Sequence, residues 1–381
     1  MENKLIYLDN AATTKPCAEA VKAFTHMAEC FGNPSSLHRL GLDSEKQINK
    51  AKEIICSRFG IDKNDLYFTS GGTEANNTAI FGTAYAREKL GKRIITTSIE
   101  HPSVLECFKR LEKEGFDVHY LTVDTNGHII LSELEELLTQ DTTLVSVMHV
   151  NNETGAVQPV GEIKSLMRKK SPKALLHCDC VQSFGKLSVE PKKWGADLIS
   201  ISAHKIHGFK GVGALYIKNG VILKSLICGG EQQKEVRPGT ENTAGIVSFG
   251  AAVEAYKYDD EEMRKFRNGF AQRIIAELDD VIINGSEHNN SGSVLNLSFC
   301  GIKAEILLHS LESKGIYVST GSACSSHKPS PSHVLTAMGK SKREIEGAIR
   351  FSFSEPLDGE DEEYAVKTIV SEVKTIRKYM K

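Results

Sequence analysis

Between about residues 65 and 230, short apolar runs alternate with stretches of helical period, and this alternation constrains the fold more than any other feature. The runs are Leu66–Thr69, Arg93–Thr97, Val118–Leu121, Leu144–His149, Ala174–Asp179, Leu198–Ser202 and Ala214–Ile217. Helix-period stretches at Glu74–Leu90, Ser103–Glu114, Leu131–Leu138 and Val160–Lys169 lie between several of them. Strands without polar alternation are buried on both faces, and strands separated by helices pair in parallel through right-handed crossovers. The pattern therefore predicts an α/β unit with a mainly parallel seven-stranded sheet. Glu231–Thr243 is polar and reads as a long loop. A charged helical pattern from about Ala251 to Leu278 reads as one long bridging helix. Beyond it, strand-like Val294–Phe299 and Ala348–Ser354 with flanking helices predict a smaller α+β domain. At 381 residues, two domains are also the natural prior from length.

Composition excludes several function classes. Lys plus Arg number 47 and Asp plus Glu 49, a near balance that argues against a dedicated nucleic-acid or membrane-surface protein. No stretch approaches the roughly 20 apolar residues of a spanning helix. The first residues, MENKLIYLDNAATT, lack the apolar core of a signal peptide. The nine cysteines are scattered from Cys17 to Cys324 in a chain too long to be a disulfide-stapled miniature. A cytoplasmic, reducing setting with mostly free thiols follows. One segment breaks the apolar pattern: STGSACSSHKPSPSH, residues 319–333, is rich in Ser, Gly and Pro and reads as a mobile loop with Cys324 near its middle.

Candidate chemistry clusters where strands end, the place open α/β sheets use for ligands. After Leu66–Thr69 the chain runs SGGTEANNTAI into a helix, with Thr73 at the cap position and Glu74 just inside. Such an N-terminus suits a phosphate, although an ordinary capped strand–turn–helix carries the same residues and this fragment alone favours it. Lys205, in SAHKIHGFKG, follows the apolar DLISI beside Ser202 and His204. Burial and cationic neighbours there lower an amine's pKa toward Schiff-base chemistry. A solvated loop pair, Lys205 and Lys210, is an equally good reading of that segment. Asp179 ends the run before CVQSFGK, where a carboxylate can keep a cofactor's pyridinium nitrogen protonated. Its neighbours Cys178 and Cys180 lack finger-like spacing and read as packing thiols, so no metal site is expected. His101 follows TTSIE before Pro102, and Asn151 and Asn152 follow LVSVMHV. A lone strand-end histidine is more often structural, and His101 gains weight only from sharing an edge with Asp179 and Lys205.

Taken together, YLDNAATT, GNPSSLH, SGGTEANN, EHPSV, VNNETG, DCVQS, SAHKIHGFKG, RPGTEN, GSACSS and RFSF resemble the cysteine desulfurases of the NifS and IscS type. These are fold-type I, aspartate-aminotransferase-like pyridoxal-phosphate enzymes. The segments occur in family order from residue 7 to residue 353, so the resemblance covers nearly the whole chain. It implies a large cofactor-binding domain over residues 13–255. Residues 1–12 and 256–381 would form a small domain carrying the cysteine loop.

By the same resemblance, Lys205 would carry the cofactor and then move protons, while Asp179 would pair with the pyridinium nitrogen. His101 would stack on the ring and assist proton transfer. Asn152 and Gln182 would reach its phenolate oxygen. Thr73, Ser202 and His204 would hold the phosphate, and Thr240 would reach it from the partner subunit of a homodimer. Arg350 would clamp the substrate carboxylate, a task suited to a guanidinium fork, with Asn33 close by. Cys324 would accept sulfur from L-cysteine as a persulfide, releasing L-alanine. An acceptor protein would then take that sulfur for iron–sulfur cluster assembly or tRNA thiolation. Selenocysteine lyase and aminotransferase are the competing activities for the same cofactor residues. The chain departs from the family's G-P-K-G after the lysine, with Phe209 in place of the proline. That changes a turn and no reacting group.

Overall fold

The computed structural model describes residues 5–320 and 331–379. A two-residue strand, β1 (Ile6–Tyr7), opens it. Strands β2 (Leu66–Thr69), β3 (Arg93–Thr97), β4 (Asp117–Leu121), β5 (Thr142–Met148), β6 (Leu175–Asp179), β7 (Leu198–Ser202) and β8 (Gly213–Ile217) then form one seven-stranded sheet. Its order is β2-β8-β7-β6-β5-β3-β4. The pairs β7–β6, β6–β5, β5–β3 and β3–β4 are parallel, and only β8 runs against both of its neighbours. The mainly parallel sheet expected from the alternating runs is therefore present, with strand bounds that agree within two residues.

Strand alternation builds a three-layer packing. Ile95, Val145 and Ile199 point into a core shared with the helices Arg39–Phe59, Val160–Lys170 and Thr243–Ala255. Their neighbours Ile94 and Leu144 point the other way, against Ile80, Phe81, Val104, Phe108 and Leu111 of the helices Gly72–Arg87 and Pro102–Lys113. Leu198, Leu215 and Ile217 extend that second face onto Ala75 and Ala79. Both sheet faces are covered, which is why the strands read as continuous apolar runs.

A second core forms around β9 (Val281–Ile283), β10 (Val294–Phe299), β11 (Ile316–Tyr317) and β12 (Ala348–Ser352). The sheet β12-β10-β9 is antiparallel, and β1 pairs in parallel with β11. Phe270, Phe299, Phe351 and Phe353 interlock edge-on above it, and the helices Asp260–Ile275, Ala304–Glu312 and Gly359–Tyr379 close it.

The single long helix expected over residues 251–278 is two helices, Thr243–Ala255 and Asp260–Ile275. Tyr256 is extended at φ −73°, ψ 118°, and Asp259 starts the second helix by accepting from the N–H groups of Glu261 and Glu262. An Asp with its own downstream donors competes with helix continuation and caps instead. The segment read as a loop, Glu231–Thr243, contains a short 3₁₀ turn at Gln232–Glu235. No helix among the described residues is long and apolar enough to cross a membrane.

Candidate active site

The carboxyl ends of the parallel strands converge on a cavity of about 260 Å³. Its lining includes Thr73, His101, Asn152, Asp179, Gln182, Ser202, His204 and Lys205. They come from the ends of five strands, β2, β3, β5, β6 and β7. Asp179 is the last residue of β6, and Lys205 ends a 3₁₀ turn directly after β7. His101 caps the helix that follows β3, and Asn152 follows β5.

At the β2 end, Gly71 rather than Thr73 occupies the helix N-cap, with no side-chain capping bond. Gly71, at φ +154°, has no side chain to offer, and an added Cβ at the next residue, Gly72, would meet Val181 Cγ2 at 2.7 Å, so the first-turn N–H groups gain no side-chain acceptor. Ser202 Oγ is buried with no partner among the described residues, and so is Gln182 Oε1. Orphaned donors, a helix N-terminus and unpartnered buried polar atoms around one cavity fit an anionic, polar cofactor. The donor set suits a phosphate.

The YLDNAATT segment lies across the lysine turn. Lys205 Nζ donates to the carbonyls of Ala11 at 2.6 Å and Ala12 at 2.7 Å. Thr14 N donates to His204 O, Cys17 N to His207 O, and His204 Nδ1 lies 3.2 Å from Thr13 Oγ1. Burial, with Lys205 and Lys210 nearby, pushes the His204 imidazole down to about 4, so it is neutral at physiological pH. Phe209, the departure from the family's turn, stacks on Phe24 at 4.5 Å and anchors the turn to the helix Ala18–Glu29.

Asp179 accepts from Asn76 Nδ2 at 2.7 Å and from Val181 N at 2.9 Å, which fixes the carboxylate in one orientation. Burial pushes the His101 imidazole below its ordinary value, Lys205 and His333 add to that, and Asp179 opposes it. Asn151, which the sequence paired with Asn152, is fully buried and structural, its Oδ1 accepting from Glu153 N and Thr154 N. Cys178 and Cys180 are wholly buried in the sheet core, as packing thiols should be.

Three named residues fall outside the cavity lining. Arg350, on β12, is buried, donates from Nη1 to Asn152 O at 3.0 Å, and pairs with Asp9. Asn33 is exposed and its Oδ1 accepts from Ser35 N. Thr240 is exposed in the loop before the helix Thr243–Ala255. Cys324 lies outside the described residues.

Several contributors were not singled out from sequence. Asn76 and Ser103 line the cavity. Glu100 is fully buried, and burial pushes its carboxyl up to about 8. Lys186 is pushed down to about 7 by burial, with Lys205 and Arg350 as cationic neighbours. A signal existed for Asn76, which lies one helical turn beyond Thr73 and so shares its face. None marked the others.

A family model described as Aminotransferase class-V matches residues 6–362. The cysteine desulfurase IscS of Clostridium botulinum is 41% identical over 382 residues, covering 98% of this chain and 96% of its own. The putative cysteine desulfurase IscS 1 of Bacillus subtilis is 42% identical over 378 residues, covering 97% and 99%. Among solved structures, a NifS-like protein matches with a TM-score of 0.90 at 35% identity, covering 98% and 100% of the two chains. A structure of SspA in complex with cysteine matches at 0.82 and 33%, covering 92% and 99%.

Proposed function

Because the chain belongs to the class-V aminotransferase family and is a cysteine desulfurase, we propose that its cavity holds pyridoxal 5′-phosphate and L-cysteine and that Cys324 receives the sulfur. The observation that carries this reading is the meeting of Lys205, Asp179, His101 and the glycine turn at Thr73 around one cavity. Ser202, His204 and the first helical turn at Thr73 take the phosphate end. Asn152 and Gln182 take the ring's oxygen, and Asp179 takes its nitrogen. When bound, the cofactor supplies an electron sink for a carbanion.

The protein's own groups do the rest. Lys205 Nζ removes the proton from the substrate Cα, and Arg350 with Asn33 orients the carboxylate. The Cys324 thiolate attacks the substrate sulfur, so that an S–S bond forms as the Cβ–S bond breaks. Protons then return to Cβ and Cα, and L-alanine leaves. Cysteine plus the Cys324 thiol become alanine plus the Cys324 persulfide, with atoms and electrons balanced. The persulfide sulfur passes to an acceptor protein serving iron–sulfur cluster assembly or tRNA thiolation. Both anchors of the cysteine segment support this role. Ser319 pairs through its backbone with Arg350, and His333 Nε2 lies 2.9 Å from Glu100 O, next to His101.

The working enzyme is a homodimer in which Thr240 reaches the partner's phosphate site. Phe31 at 81% and Leu37 at 93% exposure leave apolar surface for such a contact. Ile6, Leu8, Met263 and Phe270 belong to the second core and Val253 to the first, which supports a large domain over residues 13–255 and a small one from residues 1–12 with 256–381. Tyr256, Val334, Leu335, Met338 and Ala348 of the small domain pack on the first core. The eight cysteines among the described residues are all free, in keeping with a cytoplasmic setting.

Alanine release from L-cysteine under reducing conditions tests the function. The wild-type enzyme is expected to be yellow and active. Lys205→Ala should be colourless, and Cys324→Ala should stay yellow but lose desulfuration. Full turnover by Cys324→Ala would overturn the persulfide route and favour a lyase that does not use the thiol.

A further inference from the structure

Asn76 joins three elements at the cavity floor. Its Nδ2 donates to Asp179 Oδ2 at the end of β6 at 2.7 Å, and also to Ser103 Oγ at 2.9 Å. Ser103 is the second residue of the helix Pro102–Lys113, and its Oγ lies 2.8 Å from His101 Nδ1. The same nitrogen is 3.1 Å from Ser103 N. Asn76 and Asp179 are 1% and 5% exposed, so water does not replace these bonds.

The direction of every proton in this chain is determined. Asn76 must turn its amino group to Asp179, because the opposite flip sets a carbonyl oxygen against a carboxylate. Both amino protons are then spent, one on Asp179 and one on Ser103. A backbone N–H only donates, so His101 Nδ1 is an acceptor from Ser103 N and carries no proton. Ser103 Oγ, already accepting from Asn76, gives its own proton to that same Nδ1. The neutral ring therefore carries its proton on Nε2.

We infer that Asn76 and Ser103 are positioning residues for the desulfurase reaction. Through the relay Asp179–Asn76–Ser103–His101 they hold His101 as a hydrogen-bond donor at Nε2 and bar it from acting as a base. This rests on the proposed roles of Asp179 and His101 toward the cofactor and refines the second of them. Proton removal is left to Lys205, while His101 offers a fixed N–H. The tautomer cannot invert cheaply, since a proton on Nδ1 would face Ser103 N and leave that helix donor unpaired. The titratable groups facing His101 are Asp179, Lys205 and His333; burial favours the neutral ring, Asp179 opposes this, and Lys205 and His333 add to it.

Nitrogen–proton correlation spectra of the enzyme carrying isotope-labelled histidine read this directly, with His101→Gln giving the assignment. In cofactor-free wild type, the neutral His101 ring is expected as the Nε2–H tautomer. Ser103→Ala removes a bond that favours the neutral ring, so its titration should move up by about half a unit or more. Ser103→Thr, which keeps the hydroxyl, should restore it. An Nδ1–H tautomer in the wild type, which needs no variant to fold, overturns the relay. An unchanged titration in Ser103→Ala does so as well. Failure of the cofactor reading is distinguishable, because the enzyme would stay colourless with added pyridoxal phosphate while the tautomer is unchanged.

Discussion

Arg350 Nη2 donates to Asp9 Oδ1 at 2.7 Å, joining β12 to the residue that begins the turn over Lys205. The pair is nearly buried on the arginine side, with the side chains 4% and 21% exposed. With Nη1 on Asn152 O and Nη2 on Asp9, two of the five guanidinium N–H groups hold the side chain, and Nε is unpartnered among the described residues, so donors remain for a further acceptor. Arg350→Lys keeps the charge and loses the fork. A charge-assisted hydrogen bond contributes about 1.5–3 kcal/mol, so KM for L-cysteine should rise about 10- to 100-fold, with a smaller change in kcat. Steady-state kinetics on L-cysteine checks it, and an unchanged KM removes Arg350 from substrate binding.

Gly213 lets the phosphate-end turn lie against β8. A Cβ added there would fall 2.6 Å from Ile201 O and 2.7 Å from Gly71 Cα, both backbone atoms that cannot swing aside. Gly213→Ala should therefore cost about 1–3 kcal/mol of stability and displace Gly71. Chemical denaturation and a titration with pyridoxal phosphate measure the two effects, and weaker cofactor binding is expected alongside the lower midpoint.

These two sites show where sequence reading works and where it stops. Leu66–Thr69, Arg93–Thr97, Leu198–Ser202 and Val294–Phe299 coincide with observed strands because nearly full burial selects short runs of apolar and β-branched residues with, after the leading Arg93, only small or uncharged polar ones among them. Asp179, Lys205, His101 and Asn152 were legible because strand ends are where such sheets place ligand groups. The pairing of β1 with β11 was not, since two-residue strands carry no periodicity. Asn76 looked like an ordinary polar helix residue. Its partner Asp179 is 103 positions away, and only the folded sheet brings them together. Gly213 lies in an apolar run where a glycine signals close backbone approach without saying to what.

Ser332 fastens the segment that follows Cys324. Its Oγ donates to Glu153 Oε2 at 2.5 Å and accepts from Leu335 N at 3.1 Å, capping the helix His333–Ala337. Losing such a cap costs about 1 kcal/mol. Ser332→Ala should leave cofactor absorbance unchanged and slow persulfide formation on Cys324 by about fivefold, the ratio that energy represents. Trapping Cys324 with a thiol-reactive label after a single turnover measures this. A wild-type rate in the variant denies the anchor any part in sulfur transfer.

Glu100 makes the fold sensitive to alkali. Its Oε1 accepts from Thr97 Oγ1 and from Met148 N, both at 2.8 Å, while Oε2 is buried without a partner. Burial, with Asp179 adding repulsion, raises its carboxyl from 4.5 to about 8. The folded protein then holds a proton that the unfolded chain has released. Stability from this group is fully present below about pH 4.5 and is lost as pH rises toward 8. Lys186, lowered to about 7, runs the opposite way, gaining stability as pH rises from there, so wild-type curves alone mix the two. Glu100→Gln imitates the protonated acid and removes only the first contribution. The variant should match wild type near pH 4.5 and exceed it above pH 8 by on the order of 1–3 kcal/mol. Denaturation midpoints of the two proteins across that range decide it, and a difference that does not grow with pH would mean that Glu100 is ionised in the folded enzyme.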